Sequence, residues 1–197
     1  MLSHWHLWGL TQKFNFDSAD SLPNFFQTVT MLLSTHWLWL ITKVKQSNSD
    51  AYVNYWRMLT VTFFLLALDE ATNFHTMTAK PLREMLQASH FLYFTWVVWG
   101  MAFALLFVAA YYKFLRALPT LMRNQLLFAG AIFLCGAVGL EMVGGQLQTV
   151  YGTGSSAVAV GIIVEEVLEM SGVWLFNYAL LNYLLAQMPT TQIQHAQ

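Results

Sequence analysis

Five long apolar stretches dominate this sequence of 197 residues and constrain its fold more than any other feature. They cover residues 25–42, 56–76, 91–114, 124–145 and 157–185. Each is about 20 residues long or longer, which lets an α-helix cross the hydrocarbon core of a bilayer. Hydrophobic residues make up 57% of the chain and charged residues 10%, a composition outside the range of soluble domains. The sequence therefore predicts an all-α integral membrane bundle of about five transmembrane helices.

The remaining segments are short and predict no soluble module. We expect residues 1–24 to form an N-terminal tail at the membrane interface, where tryptophan is favoured. Residues 25–188 form the predicted five-helix transmembrane domain, and residues 189–197 a polar C-terminal tail. Residues 79–90, between the second and third stretches, predict one or two amphipathic turns on the membrane surface.

The basic residues predict the orientation and exclude one class of partner. The nine Lys and Arg are scattered in a chain of net charge −1, so nucleic acid is not an expected partner. Loops retained in the cytoplasm carry more Lys and Arg than translocated loops do. The side of the membrane that holds the loops after helices one and three carries six of these basic residues, and the other side carries three. This bias predicts an external N-terminus and a cytoplasmic C-terminus. The six are Lys43, Lys45, Arg57, Lys113, Arg116 and Arg123; the three are Lys13, Lys80 and Arg83.

Six acidic residues lie within the predicted spans, and we call them the acid cluster. Because the helices alternate in direction and rise about 1.5 Å per residue, depth can be counted along each. The count places all six at one depth near the outer face. Exposed to lipid they would cost roughly 15 to 20 kcal/mol together. We therefore expect them to point into the bundle, compensated by protons, bound cations or hydrogen bonds. They are Asp69, Glu70, Glu141, Glu165, Glu166 and Glu169.

Helical phase supports part of this cluster. Glu165, Glu166 and Glu169 are three or four residues apart and share one helix face. Glu70 and His75 lie about 140° apart on an ideal helix. His75 therefore joins the cluster only if the helix end unwinds or the cluster wraps around the helix. The tryptophans Trp96, Trp99 and Trp174 are expected to face lipid or to lie in interfacial belts.

The leading functional hypothesis is a metal site. Helical bundles hold two iron or manganese ions with Glu and His side chains that project inward from several helices. The spacing here is E-x-x-E rather than E-x-x-H, so the analogy is incomplete. An imidazole shifts preference toward transition metals, so one or two divalent ions of iron, manganese or zinc are expected. A redox-active site of this kind could act on a lipid or quinone. The predicted ligands are Asp69, Glu70, His75, Glu141, Glu165, Glu166 and Glu169.

Two alternatives of other classes remain open. Intramembrane acids also carry protons or cations in transport pathways, in which case a homo-oligomer could supply further helices. The chain could instead be a structural subunit whose acids are buried against a partner membrane subunit. The residues alone leave open whether the protein is an enzyme.

Four motifs carry a resemblance to a known family. They are L-D-E-A-T-N-F-H (68–75), F-L-R-A-L-P (114–119), G-L-E-M-V-G-G (139–145) and E-E-V-L-E-M-S-G (165–172). Together they resemble an uncharacterised family of small bacterial multi-pass membrane proteins. The resemblance implies a location in the bacterial inner membrane, and it implies no activity.

Overall fold

The protein is helical throughout its described part. A computed structural model describes residues 13–16 and 21–187, and no strand occurs in these residues. The prediction of an all-α fold is confirmed. A π-helical segment, Cys135–Leu140, joins the helices Thr120–Leu134 and Glu141–Tyr151. Thr120–Tyr151 is therefore one continuous helical rod, and we call each long continuous helix of the bundle a rod. The helices are α1 (Leu22–Ser47), α2 (Val53–Thr72), α3 (Phe74–Leu86), a short 3-10 helix (His90–Leu92), α4 (Trp96–Ala117), α5 (Thr120–Leu134), α6 (Glu141–Tyr151) and α7 (Ser156–Gln187).

Two rods of the described residues are long and apolar enough to cross a membrane. Trp96–Ala117 has a mean hydropathy of 1.7 and Thr120–Tyr151 one of 2.2. The core helix of a soluble protein can have the same composition, but it is mostly buried. Here only 17% and 22% of the two rods is buried, and Leu105, Leu106 and Phe128 are 68%, 71% and 62% exposed. The two rods therefore present apolar surface outward, as a membrane protein does.

The first helix begins earlier than predicted. Ser21 accepts a hydrogen bond from the backbone N–H of Asn24 at 3.2 Å, and Pro23 fits the first turn of a helix. Residues 22–24, predicted as the end of the tail, therefore belong to α1, which also continues to Ser47 beyond the predicted end at residue 42. The C-terminal tail, 189–197, and most of the N-terminal tail lie outside the described residues.

The second rod ends earlier than predicted. We expected a helix over residues 56–76, but α2 ends at Thr72 because Asn73 adopts a left-handed conformation, with φ 50° and ψ 39°. Asparagine tolerates this conformation better than most residues. A new helix, α3, starts at Phe74, and Asp69 Oδ1 accepts the backbone N–H of His75 at 2.9 Å. That bond satisfies a donor left without a partner in the first turn of α3, so His75 lies on α3.

An aromatic core joins the helices at one end of the bundle. Tyr111 on α4 donates to the carbonyl of Tyr55 on α2 at 3.0 Å. The Trp56 and Phe114 rings meet edge to face at 4.9 Å, and Trp56 stacks on Tyr183 of α7 at 5.4 Å. These contacts bring the start of α2 and the ends of α4 and α7 together. The acid cluster lies on the opposite halves of α2 and α7.

Two glycines allow the α5–α6 rod and α7 to cross closely. A Cβ atom on Gly172 would lie 2.7 Å from the backbone N of Phe133. One on Gly136 would lie 2.9 Å from the carbonyl O of Glu165 and 2.9 Å from Cγ of Glu169. Small residues at a helix crossing allow backbones to approach in this way. The crossing holds two glutamates of α7 beside the start of α6.

Candidate functional site

A cavity of about 610 Å³ lies between α2, α4, the α5–α6 rod and α7. All six members of the acid cluster and His75 line it. Every residue that the sequence predicted for the site therefore lines this one cavity. No lysine or arginine is among the described residues that line the cavity. Arg83, from the adjacent helix α3, lies over the Tyr93 ring at 4.1 Å instead.

Asp69 and His75 form a tight pair across the break at Asn73. Asp69 Oδ2 lies 2.7 Å from His75 Nδ1, and Oδ1 accepts the backbone N–H of the same residue. A carboxylate at one ring nitrogen fixes the orientation of an imidazole and makes it a stronger base. The unwound helix end that the sequence analysis required for His75 to join the cluster is therefore present at Asn73.

The surroundings of His75 favour its protonated form. His75 lies on α3, which follows the rod of α2. Burial lowers its pKa, but the hydrogen bond and the charge of Asp69, with the charges of Glu141 and Glu70, outweigh burial and raise the pKa above its ordinary value. A metal ion that binds this imidazole therefore competes with a proton for it.

Trp96 is a site residue that the sequence analysis missed. Its indole Nε1 donates to Glu141 Oε1 at 3.0 Å, and its ring lies 4.8 Å from the His75 ring. Gly100, one turn later, leaves room for the indole, since a Cβ there would lie 2.8 Å from it. The assignment of Trp96 to the lipid-facing aromatics is wrong, whereas Trp99 is exposed as expected. The sequence signal for this packing was the glycine four residues after Trp96, which lies on the same helix face and leaves space for the indole ring.

Glu141 and Glu165 link α6 to α7. Their carboxyl groups are hydrogen-bonded to each other. Two ionised carboxylates can only accept hydrogen bonds, so a hydrogen bond between these two groups requires a proton on one of them. The Cβ position of Gly144 lies 3.8 Å from Glu165 Oε2, so this carboxyl packs against the α6 backbone one turn after Glu141.

The other carboxyls extend the network to α1 and along α7. Asn24 of α1 donates through Nδ2 to Glu70 Oε1 at 3.1 Å and to the Glu70 carbonyl at 3.0 Å. Glu169 interacts electrostatically with Glu166, Glu70 and Glu141. Acids from α2, the α5–α6 rod and α7 therefore interact electrostatically. A fourth rod, α1, holds Glu70 through the hydrogen bonds of Asn24. Asn24 is a second residue of the site that the sequence analysis did not name.

The π-helical segment, Cys135–Leu140, positions Glu141, which directly follows it. The sequence analysis predicted an uninterrupted helix over 124–145. A π segment widens the helical turn and is frequent at functional sites. Here it includes Gly136, the point of closest approach to Glu165 and Glu169. The segment thus lies at the close crossing with α7, directly before Glu141.

The site does not have the geometry of a formed metal centre. Within residues 13–16 and 21–187, no three Asp, Glu, His or Cys side chains are arranged so that they could hold one metal ion. The prediction that the seven residues bind metal therefore stays a prediction. Ion binding in this cavity requires several carboxyl side chains to turn toward a common point.

Comparisons with known proteins bear on family membership alone. A protein-family model matches residues 7–184, a range that contains every residue of the site. No curated protein matches the chain, and neither does a solved structure.

Proposed function

We propose that this chain, which belongs to the family described as a domain of unknown function (DUF8692), is a multi-pass membrane protein that binds a divalent cation at its acid cluster. The carrying observation is that six carboxyls and His75 line one cavity in which no described lining residue is basic. Carboxylates at close range repel one another unless protons or a cation compensate them. The imidazole favours iron, manganese or zinc over magnesium or calcium.

The shape and surface of the bundle support five spans. The five rods are α1, α2, α4, α5–α6 and α7, and the shortest has 20 residues, which corresponds to about 30 Å of helix. Each rod exposes large apolar side chains, which water would not solvate favourably. One such residue from each rod is Leu32, Phe64, Leu105, Phe128 and Val160.

Reporter fusions test the proposed orientation. Six of the basic residues belong to the end of the bundle where α1 turns into α2 and α4 into α5, so that end is expected to stay in the cytoplasm. A fusion placed after Asn48 should report the cytoplasm, and one placed after Gly154 should report the outside. Three proposed spans, α2, α4 and α5–α6, separate the two fusion points. Two fusions that report the same side would therefore exclude this topology.

Cation binding and proton release are coupled in this proposal. A hydrogen bond between Glu141 and Glu165 requires a proton on one of them, and the environment of His75 raises its pKa. A divalent ion adds positive charge and needs deprotonated ligands. The arrangement described above is then the protonated state, and metal binding replaces those protons as the carboxyls turn toward the ion.

Metal content of the purified protein tests this proposal. We expect protein purified without chelators to carry iron, manganese or zinc at a fixed ratio, measured by elemental analysis. Glu141→Gln and Glu166→Gln should each lose most of that metal. Glu84→Gln is the matched control, because Glu84 is exposed on α3 and does not line the cavity. Wild-type protein that takes up none of the three metals, or site variants that retain as much as the control, would show the proposal to be wrong.

A proton pathway is the second candidate, and the Glu141–Glu165 hydrogen bond favours it. Intramembrane carboxyls that share a proton are the groups from which proton relays are built. Proteoliposomes with a trapped pH-sensitive dye and an imposed membrane potential would measure the flux. A relay predicts acidification or alkalinisation that Glu165→Gln abolishes and Glu84→Gln leaves intact. No flux above that of protein-free liposomes would exclude it.

A further inference from the structure

The cavity continues well beyond the acid cluster and forms an apolar arm along α4. Its lining residues on α4 run from Trp96 to Leu115, a separation of 19 residues that corresponds to about 28 Å of helix. The space is therefore elongated along α4, a shape that suits an extended hydrocarbon chain better than a compact ring system.

Aromatic and aliphatic side chains form the walls of the apolar arm. Phe63 of α2 stacks on Phe176 of α7 at 4.2 Å, and Phe107 stacks on Tyr111 along α4 at 4.1 Å. The far end meets the aromatic core at Phe114. Such walls offer dispersion contacts to a hydrocarbon chain and almost no hydrogen bonds.

The arm borders the outer surface of the bundle. α4 is tied to the other helices near its two ends, through Trp96 at the acid cluster and Tyr111 at the aromatic core. Between these ends, Phe103 and Val108 line the cavity and are also exposed. In the proposed membrane that surface faces lipid, so a chain can enter from the side between α4 and its neighbours.

The two ends of the cavity differ in chemistry in a way that selects the ligand. One end carries six carboxyls against one imidazole, that of His75, with no lysine or arginine among the described lining residues, and the other end is apolar. A cationic head group complements the first end, and an ammonium group can donate three hydrogen bonds to carboxylates. An anionic head group would be repelled there.

We infer that the cavity binds a single-chain membrane amphiphile with a protonated amine head group, the head at the acid cluster and the hydrocarbon chain in the apolar arm. The inference rests on the proposed function in one respect, that the acid cluster binds cations. It adds the chemical class of the ligand and a second binding surface, the apolar arm, which holds the hydrocarbon part of that ligand.

Photo-crosslinking in nanodiscs tests the inference with an octadecylamine that carries a diazirine in the middle of its chain. We expect labelling of α4 and α7 peptides that line the apolar arm. The matching octadecanoic acid probe should give at least about tenfold less labelling, because its carboxylate head group would be repelled by the acid cluster. Equal labelling by the acid and the amine, or labelling confined to peptides outside the cavity, would overturn the inference.

Ala104→Trp blocks the apolar arm, because Ala104 lines the cavity. Ala102→Trp is the matched control, since Ala102 is exposed on the same helix and does not line the cavity. The first variant should reduce amine labelling about tenfold, a loss equivalent to roughly 1.4 kcal/mol of binding, and the second should leave it unchanged. Ala104→Leu serves in its place if the tryptophan variant does not fold. Equal labelling of blocked and control proteins would contradict the inference.

Metal binding measured on the same variants separates this inference from the proposed function. Ala104→Trp should retain its metal, because the substitution lies in the apolar arm. Wild-type protein that binds metal but, after a chelator has removed that metal, is not labelled by the amine would overturn the ligand inference alone. Protein that is labelled by the amine but takes up no metal would overturn the metal proposal and support the acid cluster as a site for organic cations.

Discussion

Replacing Gly136 with alanine is expected to destabilise the fold and to weaken cation binding together. The new Cβ would lie 2.9 Å from the Glu165 carbonyl O, 2.9 Å from Glu169 Cγ and 3.1 Å from the Glu169 backbone N. Two of these three atoms belong to the backbone of α7, which cannot yield without moving the whole helix. A displaced α7 would carry its carboxyls away from Glu141.

The magnitude follows from two opposing effects. Overpacking of this kind costs about 1 to 3 kcal/mol, while exchange of glycine for alanine within a helix stabilises it by roughly 0.5 to 1 kcal/mol. Gly130 lies on the same rod and has nothing within 4 Å of its Cβ position. Gly130→Ala therefore retains only the gain, and the two variants should differ in free energy of unfolding by about 1 to 3 kcal/mol, the steric cost.

Unfolding of both variants in detergent, followed by the loss of helical circular dichroism, measures this difference. Metal content of the same preparations measures the second effect. Gly136→Ala should unfold at a lower denaturant concentration than Gly130→Ala and should carry less metal. If Gly136→Ala is as stable as Gly130→Ala, the close crossing of the rod with α7 does not exist as described, and the positions of Glu165 and Glu169 must be revised.

Three further predictions concern the immediate surroundings of the acid cluster. Trp96→Phe removes the hydrogen-bond donor to Glu141 and should lower metal affinity about tenfold or more. Trp99→Phe changes an exposed side chain and should leave the affinity unchanged. Titration calorimetry measures both affinities, and equal values would contradict the role of the Trp96 indole. Asn24→Ala removes two hydrogen bonds to Glu70 and should lower the free energy of unfolding by about 1 to 3 kcal/mol, a loss that denaturant titration would reveal or refute. Metal affinity should rise from acidic to mildly alkaline pH, because protons compete for the carboxylates and for an imidazole of raised pKa; an affinity independent of pH would count against metal binding by these groups.

The sequence alone was sufficient to predict the helical class and to name seven residues that line one cavity. Long apolar stretches leave the backbone one way to satisfy its hydrogen bonds in lipid, which is the helix. The rise of a helix is constant, so counting along alternating helices placed acids from α2, α6 and α7 at one depth. All six acids and, with the break at Asn73, His75 line one cavity, while their common depth near the outer face stays a prediction.

The tertiary structure decided how these residues meet. Depth along a helix does not specify its rotation about its own axis, and rotation depends on packing between residues far apart in sequence. Only packing shows that Trp96 turns inward to Glu141 and that Asn24 reaches Glu70. Likewise, the π segment before Glu141 arises where Gly136 meets α7, and the apolar arm exists because α4 is tied to the bundle near its ends. Local propensity specifies none of these contacts, since each joins rods that the sequence describes separately.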